Sequence, residues 1–287
     1  MDRFDIGGVT GTDPFAGVGA YAGTPEDKCV SSPRGDVYYW VTRGAAENAP
    51  WLVLLHGAGM DHTVFDGAAE SLSRNYNIIA VDLPLHGLSE VYGEFTLSAC
   101  AYDVRDILNE EGVERAVVAG HCIGGCAAQT FARQFCEYCA GLVLIDTFPF
   151  GQSDNSGIKA LGGLAGVLRA MPARAFASAL SGAFCVTMDA SRFLMRVMRM
   201  QNTACVADAM ADTFFELPGT AAGEYACPVL CIVGDTDRVG GIRTLGRRAA
   251  EEYGYELAVI PHAGHTPYLD NPTAFLAALE DFLSRII

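Results

Sequence analysis

The chain has few basic residues and no long uninterrupted hydrophobic segment, and each shortage excludes a class of function. Lys and Arg together number 19 against 34 Asp and Glu, so the formal net charge is -15 at pH 7. Nucleic acids and anionic membrane surfaces bind basic patches, and neither is therefore expected as a partner. No segment of about 18 consecutive apolar residues predicts a transmembrane helix, and residues 1–6 lack the basic start and apolar core of a signal peptide. These features predict a soluble, cytoplasmic protein.

Ten cysteines are present, but their spacing does not form the compact framework of a small disulfide-rich secreted domain. Cys136 and Cys139 form a CxxC pair within a predicted helix, and Cys227 and Cys231 enter a predicted strand. Neither pair lies in the knuckle-like turn that would hold zinc. We therefore expect these side chains to pack as small hydrophobic groups, and we predict no metal site.

Segments rich in β-branched and aromatic residues alternate with segments of helical period along most of the chain. Helices are predicted at 96–111 and 273–286, whereas residues 1–28 show no clear period. Such alternation gives a mostly parallel, doubly wound α/β sheet, and 287 residues fit one such domain with an insertion better than two domains. The predicted strands cover residues 37–42, 51–55, 77–81, the residues before Ala119, 141–146, 228–233 and 255–260.

One segment, residues 117–126 with the sequence VVAGHCIGGC, carries the strongest chemical signal. Small apolar residues run into Gly120, and a helix-like run follows Cys122, so Cys122 is expected on a sharp turn between a strand and a helix. Gly120 and Gly124 leave room for the strand and the helix to approach closely. The helix N-terminus favours a thiolate, which is the nucleophilic form of cysteine. Cys126, one helical turn later, is expected either to pack in the core or to act as a resolving thiol.

This segment resembles the nucleophile elbow of the α/β-hydrolase fold superfamily, with Cys122 at the position where serine is usual. The resemblance implies an α/β-hydrolase fold with a helical cap inserted between its sixth and seventh strands. It divides the chain into an N-terminal extension at 1–28, a core at 29–146 and 224–287, and a cap at 147–223 that is helical in pattern and has no convincing strand.

The same resemblance implies a histidine and an acid that activate the cysteine. His265, in the segment PHAGH after the last predicted strand, matches the position of the family's histidine, and His262 is the alternative. Asp237, two residues beyond the Gly-Asp that follows a buried strand, matches the position of the family's acid. Asp146 ends the preceding strand and is the alternative acid. The order of nucleophile, acid and histidine along the chain is that of the family, and the acid would orient the imidazole and stabilise its cation.

An oxyanion hole is implied at the backbone N–H groups of Ala58, after the His-Gly of the first core strand, and Ile123, directly after the nucleophile. Asp82 and His86 lie in a segment that resembles the family's Asp-x-Pro-Gly-His-Gly-x-Ser loop, where such residues order the turn rather than bind metal. No phosphate-binding or dinucleotide-binding fingerprint is present, so we expect no cofactor.

The cysteine at the elbow resembles the nucleophile of dienelactone hydrolases and of some thioesterase-like members, although those lactonases usually lack a large cap. A thiolate nucleophile forms a thioester acyl-enzyme, which suits esters, lactones or thioesters more than amides. The sequence thus predicts a hydrolase that acts on a small, mostly apolar substrate through Cys122, His265 and Asp237. An acyltransferase using the same residues is one alternative, and a non-catalytic receptor for a small ligand on the same fold is another.

Overall fold

The computed structural model describes residues 25–89, 93–151, 156–217, 220 and 224–287. Most of the N-terminal extension predicted at 1–28 lies outside the described residues. Its last three residues belong to a strand that the sequence analysis did not predict, β1 (Glu26–Ser32), so the extension cannot run as an irregular segment to residue 28. The strand EDKCVSS is polar and partly exposed because it lies at the sheet edge, where it pairs with a single neighbour.

Eight strands form one sheet in the order β1-β2-β4-β3-β5-β6-β7-β8. β1 and β2 pair antiparallel, as do β2 and β4, whereas every other pairing is parallel. The predicted mostly parallel α/β architecture is therefore confirmed. Beyond β1, the strands are β2 (Gly35–Thr42), β3 (Trp51–Leu55), β4 (Asn77–Val81), β5 (Ala116–His121), β6 (Cys139–Ile145), β7 (Val229–Gly234) and β8 (Glu256–Ile260).

Ten α-helices and one short 3-10 helix (His62–Phe65) are found in the described part of the chain. Several begin at residues suited to that position: Thr96 and Asn202 accept hydrogen bonds from first-turn N–H groups, and Pro272 starts the last helix. The helices are α1 (Asp66–Leu72), α2 (Leu97–Glu110), α3 (Ile123–Gln134), α4 (Ser156–Arg169), α5 (Ala173–Phe184), α6 (Met188–Arg199), α7 (Thr203–Glu216), α8 (Ile242–Tyr253), α9 (Pro267–Asp270) and α10 (Pro272–Ile286). Within the described ranges, every helix is too short or too polar to cross a bilayer.

The central strands carry the core of the protein. All residues of β4, β5 and β7 are buried, as are all but one of those in β3 and β6. Parallel strands covered by helices on both faces lack polar alternation, which explains their continuous Val, Leu, Ile and Ala content. Because the carboxyl ends of parallel strands meet at one edge, the segments after β3, β5, β6, β7 and β8 converge there. Between β6 and β7 the chain forms α4–α7, called here the helical insert.

The prediction of a helix through Cys136 and Cys139 is wrong. α3 ends at Gln134, a turn follows in which the Tyr138 N–H donates to the Phe135 carbonyl oxygen at 3.0 Å, and Cys139 opens β6. The two thiols therefore do not share a helix face. Cys139 lies instead beside Cys227, from the other predicted pair, with 3.7 Å between the sulfur atoms.

Candidate active site

Cys122 lies on a strained turn between β5 and α3. Its φ of 52° and ψ of -116° are a conformation that residues with a Cβ rarely adopt. The turn fits because residue 124 is a glycine and has no Cβ. A Cβ there would lie only 2.5 Å from the carbonyl oxygens of Leu55 and His56. Glycine is thus needed for α3 to begin this close to β3. The side chain of Cys122 stands at the N-terminal end of α3, where the first N–H groups lack intrahelical acceptors.

His265 follows β8 and is joined to Asp237 by a hydrogen bond of 3.1 Å between Nδ1 and Oδ2. Both side chains are fully buried. Cys122 lies close enough to His265 to raise the pKa of the imidazole. The Cys122 thiol does not meet hydrogen-bond geometry with His265 Nε2, and this nitrogen has no hydrogen-bond partner among the described residues. Catalytic hydrogen bonds are often loose without substrate and tighten in the complex. The structure thus brings together the three residues that the sequence analysis selected.

The charges of these groups depend on one another. Burial by itself lowers the pKa of His265, but the Asp237 carboxylate and the Cys122 sulfur outweigh burial, so the pKa lies well above its ordinary value. Burial acts to raise the pKa of Asp237, and the neighbouring imidazole outweighs it and holds the pKa below its ordinary value. The Asp237 carboxylate therefore stabilises the positive imidazole that forms when His265 accepts a proton.

Asp146, the alternative acid, lies in the same cluster but in a different role. Burial first, and then the negative charge of Asp237, raise the pKa of Asp146 well above its ordinary value. Its two carboxyl oxygens accept from the Gly234 N–H at 3.1 and 3.2 Å. The carboxyl of Asp146 therefore holds a proton beside Asp237, and Asp237 is the acid that contacts the imidazole.

Asp146, Asp237 and His265 form the one cluster in the described residues that could hold a metal ion, since their ligand atoms lie within 4.8 Å of one another. Two of these atoms, His265 Nδ1 and Asp237 Oδ2, are already hydrogen-bonded to each other. The remaining carboxyl, on Asp146, accepts from a backbone N–H. The cluster is thus accounted for as a hydrogen-bonded network.

Two other sequence candidates, His262 and Cys126, and the nearby Asp235 take no part in the cluster. His262 is exposed, and Asp235 accepts from the Ala263 N–H at 3.2 Å, which caps the turn. Cys126 is buried, and its thiol donates to the Cys122 carbonyl oxygen at 3.6 Å. Burial raises the pKa of Cys126 to about 12, so it remains a thiol at neutral pH. Packing accounts for Cys126 without a resolving role.

Asp82 and His86 order the loop after β4. The Asp82 carboxylate accepts from the His62 and Leu88 N–H groups, each at 2.8 Å, and His86 Nδ1 bonds the Pro84 carbonyl oxygen at 3.0 Å. Both side chains therefore stabilise the turn.

The two predicted oxyanion donors lie on the segments that flank Cys122. Ile123 is the first residue of α3, so its N–H has no acceptor within the helix. Ala58 follows Gly57, and a Cβ on Gly57 would come within 3.1 Å of the Cys122 Cβ. The loop that carries Ala58 is therefore packed directly against the elbow.

With this geometry established, residues 52–279 match the family model described as the alpha/beta hydrolase family. The chain belongs to the alpha/beta hydrolase family. The prediction of an α/β-hydrolase enzyme is thereby confirmed at the level of the family.

This α/β-hydrolase is similar in sequence to an esterase and in fold to an esterase and a lactonase. The pimeloyl-[acyl-carrier protein] methyl ester esterase of Chromobacterium violaceum is 29% identical over 255 residues, which cover 82% of this chain and 94% of that protein. A thermophilic esterase from Thermogutta terrifontis has a TM-score of 0.76 at 22% identity, covering 92% of this chain and 99% of its own. The enol-lactonase from Burkholderia xenovorans LB400 has a TM-score of 0.77 at 20% identity, covering 90% of this chain and 100% of its own. The two solved structures show the shared fold.

Two further side chains of this α/β-hydrolase support His265, and sequence reasoning did not select them. His121, the residue before Cys122, bonds the His265 carbonyl oxygen through Nε2 at 2.7 Å, and the Tyr268 hydroxyl bonds its Nδ1 at 3.1 Å. Burial lowers the pKa of His121 well below its ordinary value, so the ring is neutral. A neutral ring that donates from Nε2 accepts at Nδ1, which matches these two partners. The only sequence signal for His121 was its position next to the elbow cysteine.

The helical insert of this α/β-hydrolase is seated on the loop that carries His265. The His265 N–H donates to the carbonyl oxygen of Phe184, the last residue of α5, at 2.7 Å, and the ring centroids of the two residues are 4.7 Å apart. The Asp270 carboxylate accepts from the Thr187 N–H at 2.8 Å and from the Gly264 N–H at 2.9 Å. Asp270 thus joins the insert to the segment directly before His265. Nothing local in the sequence of the insert indicated this contact.

Proposed function

We propose that this α/β-hydrolase cleaves a small, mostly apolar ester, lactone or thioester through Cys122, with His265 as its base and Asp237 as the orienting acid. The observation that carries the proposal is the buried chain of contacts from Cys122 to the imidazole and on to the Asp237 carboxylate. This order of nucleophile, base and orienting group defines a nucleophilic triad, and it is recognised by geometry and role.

The proposed reaction begins with transfer of the Cys122 thiol proton to Nε2 of His265. The thiolate attacks the carbonyl carbon, and the backbone N–H groups of Ala58 and Ile123 bind the oxygen that becomes negative. Collapse of this intermediate expels the alcohol or thiol, which takes the proton from Nε2, and leaves a thioester on Cys122. A water molecule then gives its proton to His265 and attacks the thioester, which releases the acid and restores the thiol.

Asp237 stabilises the imidazolium in both steps and fixes the tautomer that leaves Nε2 free to accept. Asp146 is proposed as a positioning residue. Its raised pKa favours the neutral carboxyl, and its oxygens accept from the Gly234 N–H, so it lies beside the second carboxylate without adding a charge. Two adjacent buried carboxylates would repel each other, whereas one protonated and one ionised carboxyl form a stable pair.

The helical insert is proposed to act as a cap at 147–223 on a core formed by 29–146 and 224–287. Cys122 is only 6% exposed and His265 is 0% exposed, so a substrate reaches them when the insert moves from the core. The insert presents apolar rings there: an added Cβ on Gly59, next to the oxyanion loop, would lie 3.3 Å from the ring of Phe176. An apolar acyl group suits such a lining. The names of the esterase and lactonase relatives support the ester-like class.

The test is hydrolysis of a panel of chromogenic esters, lactones and thioesters of increasing acyl length. Wild type is compared with Cys122→Ala and Cys122→Ser, and with Cys126→Ala as the matched control on the same helix. We expect activity to vanish in Cys122→Ala and to persist in Cys126→Ala, and intact mass to show an acyl adduct on Cys122. Products that form only with an added alcohol or thiol acceptor would instead support acyl transfer. Absence of turnover in all four folded proteins would contradict hydrolysis and return the question to ligand binding.

A further inference from the structure

A second pair of cysteines lies at the edge of the sheet opposite to Cys122. Cys139 opens β6, Cys227 lies two residues before β7, and their sulfur atoms are 3.7 Å apart. Both thiols are free. We infer that Cys139 and Cys227 form a redox site, which peroxides convert to a disulfide. The inference is independent of the proposed function, because neither residue contacts the candidate active site.

The backbone holds the two cysteines at pairing distance. β6 and β7 are parallel neighbours with Leu142 opposite Val229, and the Leu142 N–H donates to the Pro228 carbonyl oxygen at 3.0 Å. Neighbouring strands lie about 4.8 Å apart, which falls within the Cα separation that a disulfide requires. The pairing of β6 with β7 therefore brings Cys139 and Cys227 onto neighbouring segments, where their sulfur atoms lie 3.7 Å apart.

The two thiols differ in the way that such a reaction needs. The pKa of Cys227 is lowered, first by its hydrogen bond with the Cys139 thiol and then by the positive charge of Arg115, although partial burial opposes both. The Arg115 guanidinium is fixed nearby, since it donates to the Cys139 carbonyl oxygen at 3.1 Å. Cys227 is half-buried and reachable, whereas Cys139 is buried and its pKa is raised. Cys227 is thus the attacking thiolate and Cys139 the resolving thiol.

The chemistry balances with peroxide as the oxidant. The Cys227 thiolate attacks one peroxide oxygen, the O–O bond breaks, and with one proton the other oxygen leaves as water, or as an alcohol from an alkyl peroxide. Cys227 is then a sulfenic acid. The Cys139 sulfur attacks the Cys227 sulfur, the S–O bond breaks and a second water leaves with the thiol proton. In total, two thiols lose two electrons and two protons, and the peroxide is reduced.

Among the contacts of the described residues, neither Cys136 nor Cys231 lies against a second thiol. Cys136 is exposed, and its sulfur contacts the Glu137 carboxylate at 3.8 Å, in the turn before β6. Cys231 is buried within β7, and burial raises its pKa to about 12. The CxxC and CxxxC spacings in the sequence therefore do not mark the cysteines that lie together. The sheet joins one member of each pair instead.

Oxidation would close a loop that contains the whole helical insert, since the two cysteines are 88 positions apart. A cross-link of this span restricts the unfolded chain and so favours the folded state. The disulfide lies at the amino ends of β6 and β7, whereas Cys122 and His265 lie at the carboxyl ends of β5 and β8. We therefore expect a higher melting temperature on oxidation.

The experiment treats the full chain with hydrogen peroxide, blocks remaining thiols and digests it without reduction, using trypsin with a protease that cuts after Glu. Cleavage after Glu137 separates Cys136 from Cys139. We expect peptide 138–159 linked to peptide 225–238, with fragmentation placing the bond at Cys227 rather than Cys231. The matched variants are Cys227→Ser, which should lose the link, and Cys136→Ser, which should keep it. The melting temperature of wild type should rise by several degrees on oxidation and fall back with a reducing agent, and that of Cys227→Ser should show no such rise.

Three results would overturn the inference. One is a linkage that uses Cys136 or Cys231. Another is a Cys227 that is oxidised to sulfinic acid without a link to Cys139. The third is wild-type protein in which Cys122 is oxidised, which shows that peroxide reached the chain, but in which peptides 138–159 and 225–238 remain unlinked. Far-ultraviolet circular dichroism of each variant confirms that the comparison is between folded proteins.

Discussion

The assignment of Asp237, rather than Asp146, as the orienting acid leads to a quantitative prediction for Asp237→Asn. The Asp237 carboxylate and the His265 imidazole are 3.1 Å apart and fully buried. For charge centres at about 4 Å and an effective permittivity of about 20, the attraction is worth about 4 kcal/mol. At about 1.4 kcal/mol per factor of ten, its loss lowers kcat/KM by about 10³-fold. The asparagine amide also favours the wrong tautomer of His265, and the comparable loss in a serine protease is about 10⁴-fold.

The matched variant is Asp146→Asn, for which we expect a loss of less than about tenfold. Burial raises the pKa of Asp146 and favours its neutral form, so the substitution removes no charge. The backbone accommodates it as well, because φ at this residue is 36° and asparagine tolerates the left-handed region. An asparagine oxygen can still accept from the Gly234 N–H, and its amide can donate to Asp237. What remains is the exchange of one hydrogen bond, worth about 1 kcal/mol.

The assay is kcat/KM on the best ester of the panel, measured for both variants at the pH optimum of wild type, with thermal melts to confirm folding. A large loss in Asp146→Asn with near wild-type activity in Asp237→Asn would exchange the roles of the two acids. Losses below tenfold in both folded variants would show that no carboxylate is needed to support the imidazolium, which refutes the electrostatic reasoning.

Three further predictions concern stability. The pKa of Asp146 is raised in the folded protein above the unfolded value of about 3.9, so wild type loses free energy of unfolding as the pH rises above that value. Asp146→Asn lacks this loss, and its melting temperature relative to wild type should therefore increase from about pH 4.5 to about pH 8. A difference that does not change with pH would contradict the protonated carboxyl. Gly124→Ala should lower the free energy of unfolding in urea by more than about 3 kcal/mol, because the new Cβ would clash with two carbonyl oxygens. The control is Gly163→Ala, whose Cβ would have open space around it. It should leave the free energy of unfolding unchanged or raise it by up to about 1 kcal/mol. Asp270→Ala should lower the free energy of unfolding by about 2 kcal/mol, since a charged acceptor of backbone N–H groups is removed. Trypsin should also cleave the insert faster than in wild type. An unchanged cleavage rate would show that Asp270 does not hold the insert.

The sequence predicted those elements whose physics is local. β3 and β4 have the predicted bounds, 51–55 and 77–81, because strands buried on both faces are continuous apolar runs. β1 was missed because an edge strand needs little apolar content, and α9 was missed because four residues carry no period. The family resemblance supplied the positions of Cys122 and His265, and their catalytic roles stay predictions that the panel of esters tests.

What could not be predicted depends on contacts between distant segments. Cys139 and Cys227 meet only because β6 and β7 are neighbours in the sheet, and nothing in their spacing along the chain indicated this contact. The choice between Asp146 and Asp237 likewise depended on which carboxyl reaches the imidazole and which is held by a backbone N–H. No local pattern in the insert indicated that Phe184 accepts from His265.

The backbone of His265 is held from two sides, by the Phe184 carbonyl oxygen of the insert and by His121 beside the elbow. In the proposed mechanism, an insert that lifts to admit a molecule gives up its hold on the base at the same moment. Substrate entry and the chemical step then alternate. A ligand that prevents the insert from returning to the core would bind near Cys122 while His265 lacks its contact with Phe184. An engineer who widens the entrance by redesigning α5 would therefore also change turnover of the substrates that the enzyme already accepts.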